Sequence, residues 1–271
     1  MPLPDDALDR LVQAVRASAK YGSVCEDFVR RIGAAELSKR RSLKEAIKAT
    51  KNKLHQVGGA YLDAAGEYPR WLATLRTAAA QGEPALRDAC RAIMAHHAST
   101  RERLPILETF FAETLAGIAP VTSVLDVACG LNPLAIPWMP LAPGATYLAC
   151  DIYQDMMDFV GASLALLGMS GRAFVCDVIH EPPTEHVHLA LILKTIPCLE
   201  QVDKAAGLRL LDAVRADYAL VSFPARSLGG RDKGMIAHYE ARLRDLLAER
   251  QWPVQRFEFE TELAFLVDKR G

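Results

Sequence analysis

The sequence predicts an α/β fold in which a doubly wound, mostly parallel sheet follows an all-helical N-terminal domain. Apolar residues recur at the three- and four-residue spacing of amphipathic helices over residues 1–118. From Thr122 onward the pattern changes to short apolar runs that alternate with helical segments, and two closely joined strand patterns end the chain. We therefore expect two domains, residues 1–105 and residues 106–271.

Seven strands are expected in the second domain. They lie at residues 122–128, 145–150, 172–176, 187–193, 218–223, 254–259 and 262–268. Helical patterns separate the first five strands, which predicts parallel crossover units, whereas the last two form a hairpin that adds an antiparallel strand at the end of the sheet. This count and order favour the sheet of methyltransferases over that of dinucleotide-dependent dehydrogenases.

Composition excludes several classes of protein. Of the 271 residues, 51% are hydrophobic and 24% are charged, which is typical of a globular chain and not of a disordered one. No apolar stretch approaches the ~18 residues of a membrane span, and the N-terminus lacks the basic-then-apolar order of a secretory signal. We therefore expect a cytoplasmic protein.

Charge is distributed unevenly between the two domains. Residues 1–105 contain 18 Lys and Arg against 12 Asp and Glu, a formal charge of +6, and residues 106–271 contain 14 against 21, a formal charge of −7. The basic residues concentrate around a predicted helix that Ser42 and Glu45 open as a capping box. The predicted RNA-binding residues of this domain are Lys20, Arg30, Arg31, Arg40, Lys44, Lys48 and Lys51. A solvated helix face is the alternative, but few acidic residues interleave these cations, which favours RNA phosphates.

A second capping box, Ser99 with Glu102, predicts a helix that runs through Leu115. The strand that follows it ends in the turn Ala128-Cys129-Gly130, after the single acidic residue Asp126. Small residues at such a turn let a ligand approach the backbone, and Gly130 can adopt positive φ angles.

Carboxylates follow the next two strands. Asp151 ends the second strand and Asp177 follows the third, and in a parallel sheet the ligand lies beyond these carboxyl ends. Asp151 can accept hydrogen bonds from ribose hydroxyls and Asp177 from an adenine amino group, whereas the alternative for either is a helix N-cap. Both NAD and S-adenosylmethionine contain adenosine. A pyrophosphate needs a G-x-G-x-x-G turn, and only one glycine follows Asp126 here, which favours the sulfonium cofactor.

Metal binding is not expected. The six cysteines contain no C-x-x-C pair, and the adjacent His96 and His97 lack the spacing of helical metal ligands.

Four segments, residues 97–105, 126–133, 193–200 and 222–230, resemble the 16S ribosomal RNA guanine-N7 methyltransferases that confer aminoglycoside resistance. The resemblance covers nearly the whole chain. It implies a class I S-adenosylmethionine-dependent methyltransferase with a Rossmann-like seven-stranded sheet and a basic helical domain that docks rRNA. The implied reaction is methylation of N7 of the decoding A-site guanine of 16S rRNA in the assembled 30S subunit.

The resemblance also assigns residues. Those implied around the cofactor are Tyr61, His97, Ala98, Ser99, Arg103, Ala128, Gly130, Asp151, Ile152, Asp177, Val178 and Leu193. Arg103 is suited to the cofactor carboxylate. Val202 stands where a relative has a glutamine that contacts the cofactor, and the neighbouring Gln201 is expected to take over that contact. Arg226, Ser227, Arg231 and Lys233, in a glycine-rich loop after the fifth strand, are expected to hold the RNA near the cofactor; a surface loop without that role is the alternative.

Guanine N7 carries a free lone pair, so no general base and no catalytic proton-transfer residue are expected. Three alternatives stay open at this point. They are a nicotinamide-dependent oxidoreductase, a non-catalytic RNA-binding protein with a degenerate nucleotide fold, and an enzyme that modifies a neighbouring A-site base.

Overall fold

The computed structural model describes residues 6–59, 66–225 and 234–270. The helices in these ranges are α1 (Ala7–Arg16), α2 (Glu26–Leu37), α3 (Leu43–Leu54), α4 (Tyr68–Gln81), α5 (Glu83–Met94), α6 (Ala98–Arg103), α7 (Leu107–Thr114), α8 (Gln154–Leu166), α9 (Ile196–Leu199), α10 (Ala206–Ala213) and α11 (Met235–Leu247). The strands are β1 (Val121–Val127), β2 (Leu141–Asp151), β3 (Ser170–Val175), β4 (Val187–Leu193), β5 (Ala216–Pro224), β6 (Val254–Glu258) and β7 (Glu262–Asp268).

These seven strands form one sheet in the order β3, β2, β1, β4, β5, β7, β6. Strands β1 to β5 are parallel, and β7 runs antiparallel to both of its neighbours, β5 and β6. The predicted strand count, the crossover units and the terminal hairpin are therefore confirmed. Strand order reverses between β1 and β4, which opens a crevice at the carboxyl ends of these two strands.

Strand β1 lies inside the sheet, between β2 and β4, and its apolar residues are buried. Leu125 lies between Leu148 of β2 and Ala190 of β4, and both Val124 and Leu125 are fully buried. A continuous apolar strand of this kind is typical of a sheet with helices on both sides. The buried apolar cluster extends without interruption from the sheet into α1 to α5, and α4 packs on α8.

The basic helix α3 begins as predicted. The backbone N–H of Glu45 donates to the Ser42 hydroxyl at 3.3 Å, which confirms that capping box. The helix ends in a π-helical turn, His55–Gly59. No helix among the described residues is long and apolar enough to cross a membrane.

The predicted helix opened by Ser99 is wrong in its start and its continuity. Helix α6 begins at Ala98 with His97 at its N-cap, and a short 3-10 turn, Leu104–Ile106, separates α6 from α7. The Glu102 carboxylate does not return to the N-cap because it pairs with Lys194 Nζ at 2.8 Å. The predicted domain boundary at residue 105 falls inside this 3-10 turn.

Candidate active site

A cleft that is partly open to solvent lies at the carboxyl ends of β1, β2 and β4. The described residues that line it are Phe28, Val57, Gly58, His97, Ser99, Arg103, Asp126, Ala128, Cys129, Asn132, Asp151, Ile152, Tyr153, Met156, Cys176, Asp177, Val178, Ile179, Leu193, Lys194, Thr195, Cys198 and Leu199.

The turn after β1 forms the floor of the cleft. Gly130 has a φ of 52°, and a Cβ atom added there would lie 2.7 Å from the His97 ring, so only glycine fits. Ala128 also has a positive φ, 50°, which is uncommon for a residue with a side chain. Strain of this kind concentrates at ligand sites, because the surrounding structure holds the backbone in place.

Asp151 at the end of β2 is oriented by backbone amides. Its Oδ2 accepts from the Gly130 N–H at 3.0 Å and its Oδ1 from the Ile152 N–H at 2.7 Å. Burial raises the pKa of Asp151 above its usual value, although the hydrogen bonds from the amides of Gly130, Ile152 and Tyr153 act against this shift. The carboxylate is therefore held rigidly on the cleft wall, where a ribose hydroxyl offers the kind of donor that suits it.

Asp177, after β3, is paired with a residue of the helical region. Its Oδ2 accepts from Arg31 Nε at 2.9 Å and from Arg31 Nη2, and its Oδ1 accepts from the Ile179 N–H at 3.1 Å. Asp177 is buried and lines the cleft.

Arg103 is fully buried in an ion pair. Its Nε and Nη2 donate to the Glu262 carboxylate at 3.0 and 2.6 Å, and its Nη1 donates to Asn132 Oδ1 at 2.8 Å. Burial alone would raise the pKa of Glu262, but the charges of Arg103 and Lys194 hold that pKa below its usual value. A guanidinium has five N–H donors, so Arg103 keeps donors beyond these three bonds for its predicted contact with the cofactor carboxylate.

Lys194 connects this pair to the cleft. Its φ is 58°, and its Nζ lies 2.8 Å from Glu102 and 3.3 Å from Glu262. Asp126 also lines the cleft, and it accepts hydrogen bonds from Asn132 and Tyr147 at 2.8 and 2.7 Å. Burial raises the pKa of Asp126 to about 7, against the effect of these two hydrogen bonds.

The N-terminal helical region supplies part of the cleft wall. The Cys25 N–H donates to the Ile152 carbonyl at 2.8 Å, and the Gln154 N–H donates to the Ser23 carbonyl at 2.8 Å, so the start of α2 is joined to the loop after β2. Phe28 of α2 and Gly58 of the π-helical turn reach the cleft.

Nine predicted cofactor residues line the cleft. They are His97, Ser99, Arg103, Ala128, Asp151, Ile152, Asp177, Val178 and Leu193. Gly130 lies behind them in the turn, and Ala98 is buried in the first turn of α6. Gln201 does not reach the cleft wall: its side chain is exposed and its carbonyl accepts from Lys53 at 2.7 Å. Tyr61 lies outside the described residues.

The prediction from the sequence missed several lining residues. Phe28, Val57 and Tyr153 carried no motif, and Lys194 lay within a recognised segment without an assigned role. Lysine gives no sequence signal for a positive φ, so this position could not be found from propensity.

The predicted RNA-binding cations fall into two groups. Lys44 and Lys48 are exposed on α3, Lys51 is half-buried beside them, and Lys20 is exposed with its Nζ 3.0 Å from His55 Nδ1. The arginines are paired within the chain. Arg30 bonds Asp9 and Glu26, Arg40 bonds Glu36, and Arg31 bonds Asp177. Arg226, Ser227, Arg231 and Lys233 lie outside the described residues.

Across residues 6–59, 66–225 and 234–270, no three His, Cys, Asp or Glu side chains are grouped to hold a metal ion.

The cleft fits S-adenosylmethionine. It has a rigid carboxylate at the end of the second strand and a further carboxylate after the third strand, which suit an adenosine. The turn after β1 lacks the glycine pattern that a pyrophosphate needs. In the sheet, β7 lies antiparallel between β5 and β6, in agreement with the terminal hairpin predicted for a methyltransferase sheet. The fold and the site define a class I S-adenosylmethionine-dependent methyltransferase.

Comparison with known proteins narrows this class. The family model described as Ribosomal RNA methyltransferase (FmrO) matches residues 17–266, and the chain belongs to this family of enzymes. The chain is 41% identical over 267 residues to a protein of Frankia casuarinae named 16S rRNA (guanine(1405)-N(7))-methyltransferase, which covers 97% of this chain and 94% of the relative. A protein of Micromonospora rosea with the same name is 38% identical over 268 residues, 98% of both chains.

Two solved structures of 16S rRNA methyltransferases are also similar to this chain. The 16S rRNA methyltransferase RmtF, crystallised with S-adenosyl-L-homocysteine, is similar with a TM-score of 0.85 and 33% identity over 98% of this chain and 99% of its own. The 16S rRNA methylase RmtB gives a TM-score of 0.80 with 28% identity over the full length of both chains. Membership of this family decides against the oxidoreductase and the non-catalytic alternatives.

Proposed function

We propose that the protein transfers a methyl group from S-adenosylmethionine to N7 of guanine 1405 of 16S rRNA in the 30S subunit. The observation that carries this proposal is the 38–41% identity, over 97–98% of the chain, to relatives named for that reaction. The cleft at the ends of β1 and β2 supports it, since its carboxylates suit an adenosine.

The cofactor, when bound, supplies an electrophilic methyl group on a sulfonium. The residues of the chain then have two tasks, which are alignment and charge stabilisation. Guanine N7 needs no deprotonation, so the rate depends on holding the nucleophile and the methyl donor in line. The turn of Ala128 and Gly130 and the Asp151 carboxylate are rigid, which suits them to fixing the donor.

Positive charge moves from the cofactor to the base during the transfer. The charge of the sulfonium passes to the methylated purine, so negative or oriented dipolar groups close to N7 favour the reaction. Among the carboxylates that line the cleft, Asp151 accepts its hydrogen bonds from backbone amides, whereas Asp177 is paired with Arg31 and the pKa of Asp126 is raised to about 7. The buried Arg103 and Glu262 neutralise each other, so they add little net charge and instead fix α6 against β7.

RNA docking is assigned to the exposed face of α3. Lys44 and Lys48 are four residues apart and exposed, which places two cations on one face of the helix. Each phosphate contact releases counterions and makes binding dependent on salt. The target base is inside the folded rRNA, so its N7 becomes accessible when the base is extruded or its neighbours unstack.

The test is methyl transfer to purified 30S subunits from S-adenosylmethionine labelled in the methyl group. The modified base is located by chemical cleavage at 7-methylguanine followed by primer extension. We expect incorporation at guanine 1405, and less incorporation by Asp151→Asn when the cofactor concentration is limiting. No incorporation by a protein that binds S-adenosylhomocysteine would contradict the RNA substrate.

Aminoglycoside resistance follows from modification of the decoding site. Expression in a susceptible bacterium is expected to confer resistance to gentamicin and kanamycin while leaving sensitivity to apramycin. Resistance to apramycin would instead indicate a neighbouring adenine as the target.

A further inference from the structure

Arg31 lies on α2, and its guanidinium binds the Asp177 carboxylate. Nε lies 2.9 Å from Asp177 Oδ2, and Nη2 donates to the same oxygen. Asp177 is almost fully buried, with 4% of its side chain exposed, whereas 32% of the Arg31 side chain is exposed. The pair is therefore partly shielded from water, which strengthens it relative to a surface ion pair.

The hydrogen bonds of Asp177 leave one acceptor position on the carboxylate. Oδ2 is occupied by Arg31, and Oδ1 accepts only the Ile179 N–H at 3.1 Å among the described residues. Each oxygen of an ionised carboxylate can accept about two hydrogen bonds, so Oδ1 can accept one more. A donor such as an exocyclic amino group matches this position, and a carbonyl oxygen does not.

Helix α2 is fixed to the cofactor cleft. The Cys25 N–H, directly before α2, donates to the Ile152 carbonyl at 2.8 Å. Phe28 lines the cleft, whereas Arg31, three residues further along α2, lines an adjoining groove that shares Asp177 with the cleft. Helix α2 therefore contributes Phe28 to the cleft wall, and through Arg31 it contacts a carboxylate of that wall.

We propose that Arg31 is a positioning residue for recognition of the cofactor's purine. It fixes the rotamer of Asp177 by occupying Oδ2, so that Oδ1 is left to accept a hydrogen bond from the 6-amino group. The proposal rests on Asp177 facing the purine in the cofactor cleft. It does not depend on the RNA substrate, and its test needs no RNA.

The test compares two ligands by calorimetry. One is S-adenosylhomocysteine, and the other is the same molecule with an unsubstituted purine that lacks the 6-amino group. The variants are Arg31→Gln and Arg31→Lys. The matched control is Arg30→Gln, which removes a neighbouring arginine of α2 that binds Asp9 and Glu26 instead.

For Arg31→Gln we expect about tenfold weaker binding of S-adenosylhomocysteine. The reason is that the Asp177 carboxylate, which accepts the hydrogen bond from the 6-amino group, is no longer held in place by Arg31. Binding of the analogue should change less than about twofold on the same reasoning, so the preference for the amino group falls. Arg31→Lys should restore part of that preference, and Arg30→Gln should leave both affinities unchanged.

Three results would overturn the proposal. Equal weakening of both ligands would indicate that Arg31 only supports the fold. Tighter binding of S-adenosylhomocysteine would indicate that the ion pair competes with the purine. Unchanged binding of both ligands would show that Arg31 takes no part in recognition of the purine. Thermal unfolding of each variant verifies that it is folded. If Arg31→Gln does not fold, the comparison of the two ligands is made with Arg31→Lys.

Discussion

Replacement of Glu262 by Gln tests the buried ion pair between α6 and β7. The Glu262 carboxylate accepts two hydrogen bonds from Arg103 and one from Ser222 at 2.5 Å, and it lies 3.3 Å from Lys194 Nζ. Neither Arg103 nor Glu262 exposes any of its side chain. Removing the negative charge leaves the Arg103 cation buried without a carboxylate, a change that costs about 3–5 kcal/mol in proteins.

The chain provides a matched control in Glu108. Arg91 Nη2 lies 2.7 Å from Glu108, close to the 2.6 Å of the buried pair, but 71% of the Glu108 side chain is exposed. Exposed pairs contribute about 0–1 kcal/mol, since water screens them. Glu108→Gln therefore repeats the substitution in an Arg–Glu pair that is exposed and lacks the additional partners of Glu262.

The assay is urea unfolding of both variants at pH 7. The dependence of the free energy of unfolding on urea concentration is compared between the variants, because equal slopes indicate that both unfold in the same two-state transition. We expect Glu262→Gln to lower the free energy of unfolding by about 3 kcal/mol or more and Glu108→Gln by less than about 1 kcal/mol. Equal losses in the two variants would refute the reasoning, since burial would then have no effect on the strength of the pair.

Three further predictions concern ligand binding, docking and pH. Asp151→Asn should weaken S-adenosylhomocysteine binding at least about tenfold in calorimetry, because a buried charged acceptor is lost; unchanged affinity would remove Asp151 from the site. Replacing both Lys44 and Lys48 by Gln should weaken 30S binding and reduce its dependence on salt by roughly one to two counterions, measured by filter binding at several salt concentrations; an unchanged salt dependence would place docking elsewhere. The pKa of Asp126 is raised to about 7 in the folded protein, whereas in the unfolded chain it has the ordinary, lower value of an aspartate. Between these two pKa values the folded protein binds a proton at Asp126 that the unfolded chain has released. The free energy of unfolding of the wild type should therefore fall between about pH 4 and 7 relative to that of Asp126→Asn, whereas a constant difference over this interval would contradict the shift.

The sheet could be predicted because its signals are local. Strands β4 and β7 begin and end where the apolar pattern predicts, at residues 187–193 and 262–268. Gly130 was identifiable because a tight turn after a buried strand needs a residue that tolerates positive φ, and its φ is 52°. Asp151 followed from its place at the end of a parallel strand.

The buried network could not be predicted, because its partners are distant in the chain. Arg103 and Glu262 are 159 residues apart, and no spacing rule connects them. The same network explains the failed capping box, since Glu102 pairs with Lys194 instead of the helix start. Helical periodicity likewise identified α2 but could not show that Phe28 lines the cofactor cleft or that Arg31 pairs with Asp177.

The most direct test of the cofactor site is a crystal structure of the protein with S-adenosylhomocysteine. We predict that the ribose hydroxyls lie within hydrogen-bonding distance of the Asp151 carboxylate and that the purine amino group faces Asp177. Electron density for the ligand away from Asp151 and the Ala128 turn would contradict the account.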